Sequence, residues 1–103
     1  MEQVNSDRFE NVLQNGGAVL VDFYSESCVP CKRMAPVLSE LENELGDSVR
    51  TVKINVAEEG GLARKYSVQA VPTFIMFRNG SESSRLVGAV PKSELADFIK
   101  KNQ

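Results

Sequence analysis

Histidine and tryptophan are absent from this chain, and cysteine occurs only twice, at Cys28 and Cys31. Structural zinc takes four protein ligands, usually cysteine and histidine, so a lone protomer cannot close such a site; two protomers sharing a metal or cluster could. Long apolar runs are missing, so no segment reads as a membrane span. The start, Met1 to Glu10, is polar and acidic, with neither the basic nor the apolar region of a secretory signal. Basic residues are not in excess: 12 Lys and Arg against 14 Asp and Glu give a net charge of −2, which argues against a nucleic-acid surface. Adjacent basic pairs such as Lys32-Arg33 and Lys100-Lys101 read as solvated helix ends. Repeats, low-complexity segments and linkers are also absent, so 1–103 is expected to be one domain. With no signal and only two cysteines, the expected compartment is the cytoplasm, where a close cysteine pair is more often catalytic or metal-binding than structural.

What is present reads as alternating helices and strands. Phe9, Val12 and Leu13 share a helical face, with Ser6 as the expected N-cap, and Asn15 to Gly17 stop that helix. Ala18–Tyr24, AVLVDFY, is a nearly continuous run of β formers, as in a strand buried on both faces. Met34, Leu38, Leu41 and Leu45 mark an amphipathic helix from about Cys28 to Leu45, ended by Gly46, with a kink expected at Pro36. Val49 to Val56 alternates and reads as a strand; a short helix follows around Gly61 to Tyr66. Thr73 to Phe77 is a second buried strand. Asn79-Gly80 signals a type I′ hairpin, with Ser84 to Gly88 returning as an edge strand. Pro91 opens a last helix facing inward with Leu95, Phe98 and Ile99. The order α-β-α-β-α-β-β-α implies right-handed crossovers, a parallel core with an antiparallel hairpin edge, and helices on both faces.

The stretch SESCVPCKR, residues 25–33, carries the chemistry. A disulfide between Cys28 and Cys31 closes so small a loop that its stabilising value is slight. A redox role fits both residue type and position, because the pair follows a buried strand and opens a helix. Unpaired N–H groups and the helix dipole there stabilise an anion, and the thiolate is the reactive species. Cys28, nearer the tip, is expected to attack; Cys31, one turn further in, is expected to be shielded and to resolve the mixed disulfide. Pro30 stiffens the turn and lacks an N–H where none is needed.

Asp22 interrupts an otherwise apolar strand, and a buried carboxylate is costly unless paired or protonated. Either it reaches solvent at the strand end, or it serves as acceptor for the Cys31 proton. Lys53 is the matching oddity in the next strand; if the strands are neighbours, Asp22 and Lys53 can pair beneath the cysteines. In AVPTF, Ala70 to Phe74, Pro72 precedes a strand, and sequence alone does not say whether its peptide bond is cis.

Taken in order, VDFYSESCVPCKRMAP, VKINV, VQAVPTFIMFRNG, LVGAV and the closing helix resemble the thioredoxin family over nearly the whole chain. The resemblance implies an α/β fold with a central mixed sheet of four or five strands flanked by helices on both faces. It implies Cys28 as nucleophile, Cys31 as resolving thiol, Asp22 as buried proton acceptor with Lys53 as its partner, and Pro72 as a cis-proline opposite the cysteines. The backbone of Val71 would bind an extended substrate segment by strand addition, and Gly88 would line the same groove. The Cys28–Cys31 pair would cycle between dithiol and disulfide with no bound cofactor and no metal.

Family members usually carry Trp-Cys-Gly-Pro-Cys, where this chain has Ser27-Cys28-Val29-Pro30-Cys31. Ser27 removes an aromatic contact from the rim that partners touch, and Val29 adds a β-branched side chain beside the nucleophile. The expected partners are disulfide-containing target proteins and a thioredoxin reductase, commonly a flavoenzyme in this family, and the altered rim points to a dedicated reductase or a narrower target set. No nucleic acid or membrane is expected, and the protein should be a monomer. An oxidant or isomerase, a non-redox binding module built on the same groove, and a metal-bridged dimer stay open as alternatives.

Overall fold

The computed structural model describes the whole chain, Met1–Gln103. Five strands form one mixed sheet in the order β1-β3-β2-β4-β5: β1 Glu2–Gln3, β2 Ala18–Tyr24, β3 Arg50–Asn55, β4 Thr73–Arg78 and β5 Ser81–Val87. Four helices accompany it: α1 Ser6–Gln14, α2 Val29–Leu45, α3 Gly60–Lys65 and α4 Lys92–Lys101, with a 3₁₀ turn at Gly46–Ser48. This is the expected α/β architecture.

The central strand β2 is apolar at nearly every position because both of its faces are covered. Val19, Val21 and Phe23 pack with Phe9, Val12, Leu62 and Phe77 under α1 and α3. Leu20, one residue out of phase, packs with Met34, Leu38, Leu41, Leu95 and Ile99 under α2 and α4. The period-2 alternation of a strand thus divides one short segment between two cores. Asp22 shares the phase of Leu20 and faces α2, which places a carboxyl inside the second layer. Pro36 is accommodated within α2, which remains helical on both sides of it.

Four expectations need correction. Glu2–Gln3 adds a strand at the N-terminal edge, parallel to β3, which two exposed polar residues could not announce. The N-cap of α1 is Asn5, whose side chain accepts from the Arg8 N–H at 2.9 Å; Ser6 is the first helical residue and its hydroxyl turns to Glu59. The parallel part of the sheet is only β1-β3-β2, because β4 runs antiparallel to β2. Residues 56–72, which carry the short helix α3, return the chain to the end of the sheet at which β3 left it. Finally, the return strand β5 starts at Ser81, not Ser84, directly after the turn, with a register irregularity at Met76/Phe77. The turn itself is as expected: Asn79 and Gly80 have φ of 49° and 86°, both positive.

Candidate active site

Where β2 ends, a short loop carries the chain to α2, and Cys28 is the N-cap of that helix. Its Sγ accepts from the Cys31 N–H at 3.1 Å. A sulfur in that place meets N–H groups that have no partner inside the helix, together with the positive end of the helix dipole. Pro30 sits in the first turn, where its missing N–H leaves nothing unsatisfied. Cys28 and Cys31 are joined as a disulfide, with Cα atoms 5.2 Å apart. Cys28 is half-exposed, and Cys31 is 7% exposed.

The loop before β4 closes over the same point. Cys28 Sγ lies 3.6 Å from the Val71 carbonyl oxygen, a distance at which its thiol form can donate. The Val71–Pro72 bond is cis, and Pro72 is buried. The Val71 N–H has no partner within the chain. Gly88, with φ of 98°, donates its N–H to the Pro72 carbonyl at 2.8 Å, which holds the end of β5 beside the loop. Cys28, Val71, Pro72 and Gly88 therefore share one rim. Val29 and Val87, the two large apolar side chains that stand open to solvent at 55% and 57%, belong to segments of that rim. Ser27 is exposed and turned toward its own loop: its N–H donates to the Ser25 hydroxyl at 3.3 Å, and the two hydroxyls are 3.0 Å apart.

On the other side of the disulfide the environment is different. Asp22 is 5% exposed in mid-strand and meets solvent only through the cavity beneath the disulfide, which removes the reading of a carboxylate at the strand end. It pairs in register with Lys53 on β3 and Phe74 on β4. One carboxyl oxygen, Oδ1, has no hydrogen-bond partner. Burial pushes the Asp22 carboxyl up to about 7, against a smaller pull downward from Lys53. The expected direct pair is not formed. The Lys53 ammonium lies instead over the ring of Tyr24, 5.2 Å from its centroid. The reason is the strand register: Tyr24 is two residues beyond Asp22 on the same face, so a lysine opposite Asp22 can lean toward either group. Asp22, Lys53, Tyr24, Cys31, Ser25 and Ser39 are among the residues around an open cavity of about 580 Å³.

Residues 1–101 match the family model described as Thioredoxin. The chain belongs to the thioredoxin family. It is similar to thioredoxin from Rhodospirillum rubrum, 40% identical over 97% of this chain and 97% of that protein. It is also similar to the chloroplastic Thioredoxin M-type of Spinacia oleracea, 39% identical over 98% of this chain, although it spans only 56% of that protein's length. Among solved structures, Plasmodium falciparum thioredoxin superposes with a TM-score of 0.93 at 31% identity over 100% of both chains. Family membership and a C-x-x-C pair at disulfide distance make the chain a thiol–disulfide oxidoreductase of the protein-disulfide reductase type.

Every residue singled out from the sequence lies on one of these two sides of the disulfide. Tyr24 and Val87 were missed. Tyr24 could have been found by extending the period-2 phase of Leu20 and Asp22 one step along the strand. Val87 carries no such signal, because exposure at a strand end is not written in its residue type.

Proposed function

We propose that the chain reduces protein disulfides through successive displacements at Cys28 and Cys31. The observation that carries this reading is the asymmetry of the pair: Cys28 caps a helix at the surface, while Cys31 is buried beside a cavity that holds an unpartnered carboxyl. In the reduced protein the Cys28 thiolate attacks one sulfur of a target disulfide. A mixed disulfide forms and the target's other sulfur leaves as a thiolate. Asp22 takes the proton from Cys31, by way of water in the cavity. The Cys31 thiolate then attacks the Cys28 sulfur, and the target's remaining thiolate departs. The Cys28–Cys31 disulfide is left behind with a protonated Asp22. Two electrons have passed to the target.

The target segment lies extended against Val71, whose unpartnered N–H and whose carbonyl supply strand-like hydrogen bonds. Pro72 and Gly88 form the floor of that groove, and Ser27, Val29 and Pro30 form its rim. Lys53 biases the charge of Asp22. The partners are proteins with accessible disulfides and a reductase, a flavoenzyme of the thioredoxin-reductase kind, adapted to a rim without tryptophan. The whole chain acts as one domain and as a monomer, in the cytoplasm or another compartment that keeps thiols reduced. No helix is long and apolar enough to cross a membrane.

The test is the equilibrium potential of the couple, read by thiol trapping and mass spectrometry in dithiothreitol buffers. A value well below the cytosolic glutathione poise supports the reductase reading. A value at or above it makes the protein an oxidant or isomerase, and the absence of a reversible two-electron couple leaves only a binding module.

A further inference from the structure

Lys53 faces a choice of neighbours, and the structure shows which one it takes. It sits opposite Asp22 in the parallel register of β2 and β3. Its stem is long enough to reach that carboxyl, yet Asp22 Oδ1 is left without a partner and the ammonium rests over Tyr24. The Tyr24 ring is itself anchored. Its hydroxyl donates to Gln3 Oε1 at 2.9 Å, and the Gln3 amide donates to Glu58 at 3.1 Å. The edge strand β1 and the segment after β3 thus hold the ring where it attracts the ammonium.

We infer that Tyr24 is a positioning residue that draws Lys53 away from Asp22 and so sets the charge of the carboxyl below the cysteines. A cation over an aromatic face is attracted by the ring quadrupole, and the attraction competes directly with an ion pair for the same ammonium. Buried carboxyls keep their proton more readily when the nearest cation is turned aside, and the raised value of Asp22 agrees with this. The remaining charged groups around the cavity do not replace Lys53. Glu26, on the loop after β2, has the wrong sign. Lys32 on α2 is exposed, the α-amino group of Met1 is bound to Glu42, and Phe74 on β4 carries no charge. Among the groups lining the cavity, Lys53 is then the cation best placed to move toward Asp22, and Tyr24 governs that movement.

The catalytic consequence rests on the reading of Asp22 as proton acceptor, but the positioning itself does not. It is tested in the oxidised protein, without turnover, by following the Asp22 carboxyl carbon by NMR through a pH titration. Tyr24→Leu should lower the Asp22 midpoint by about one pH unit, the change expected when a unit charge moves about 2 Å closer at a partly screened site. Tyr24→Phe, which keeps the ring but loses its hydrogen bond to Gln3, should shift the midpoint in the same direction and by less than Tyr24→Leu. Gln3→Ala, at an exposed edge position, should shift it in the same direction as Tyr24→Leu and by less, and it serves if the leucine variant does not fold. In a Lys53→Met background the effect of Tyr24→Leu should vanish. An unchanged or raised midpoint in Tyr24→Leu, or an equal shift with and without Lys53, overturns the assignment. If the midpoint moves as stated while the pH profile of target reduction does not, the positioning stands and the acceptor role of Asp22 falls.

Discussion

Replacing Asp22 by alanine should make the oxidised protein more stable, and only above a defined pH. The folded carboxyl titrates at about 7 and its ordinary value is 3.8. Below the ordinary value both folded and unfolded chains are protonated, and burial costs nothing through charge. Between the two values folding takes up a proton, so stability falls as pH rises. Above about 7 the penalty is complete. The difference, about 3.2 pH units, corresponds to about 4 kcal/mol. Alanine leaves a small void on the α2 side, which costs about 1 kcal/mol at every pH. The variant should therefore match or slightly trail the parent at pH 4 and exceed it by about 3 kcal/mol at pH 8, a large fraction of a typical domain's 5–15 kcal/mol. Urea unfolding of both oxidised proteins at pH 4, 6 and 8 measures the gap, provided the denaturant slopes agree. A gap that does not change with pH would refute the reasoning, since packing differences do not titrate. So would a parent more stable than the variant at pH 8.

Other expectations are simpler. Cys31→Ser should accumulate a mixed disulfide with a target at Cys28, whereas Cys28→Ser should trap none and reduce targets no faster than dithiothreitol alone; gel-shift and mass analysis separate the two. Ser27→Trp combined with Val29→Gly should lower the KM of a thioredoxin reductase by about tenfold while leaving kcat nearly unchanged, because added rim contact is binding made equally in ground and transition states. Steady-state kinetics that show the gain in kcat instead would contradict a docking role for these positions. Gly88→Val should destabilise the fold by about 1–2 kcal/mol, since φ of 98° is strained for any residue with a Cβ. Nothing within the chain occupies the space beside it, so crowding is not the cause. Phe9→Ala should cost about 3–5 kcal/mol, because Phe9 is fully buried and meets Tyr66 and Phe77 edge-on.

Much of this arrangement is legible in the residues because burial writes itself in composition. The apolar run of β2 declares two covered faces, Asn79-Gly80 declares its turn, and a cysteine pair after a buried strand declares a helix N-terminus. Asp22 is conspicuous for the same reason. What stays hidden depends on geometry between segments. The Glu2–Gln3 strand is made by pairing with β3, and its own letters are ordinary surface letters. The reversal of β4 lies in the path taken by residues 56–72 after β3, which no local pattern encodes. The pairing of Lys53 was the plausible inference from charge alone. It failed because a third side chain, two residues along the same strand face, offers the ammonium another place to rest.

The disulfide stands between two compartments, with Cys28 beside one and Cys31 beside the other. In the proposed mechanism the groove of Val71, Pro72 and Gly88 receives the target, while Asp22, Lys53 and Tyr24 line an open cavity together with Ser25 and Ser39. A partner confined to the first would leave the second wet. With Asp22 as the proposed proton acceptor, proton traffic would then continue while a target is clamped in place, and the acidity that governs release would be a property of the carrier and not of its cargo. Targets of very different shape should then be let go with one common pH dependence, so the repertoire of clients can widen or narrow through the rim without retuning the step that frees them.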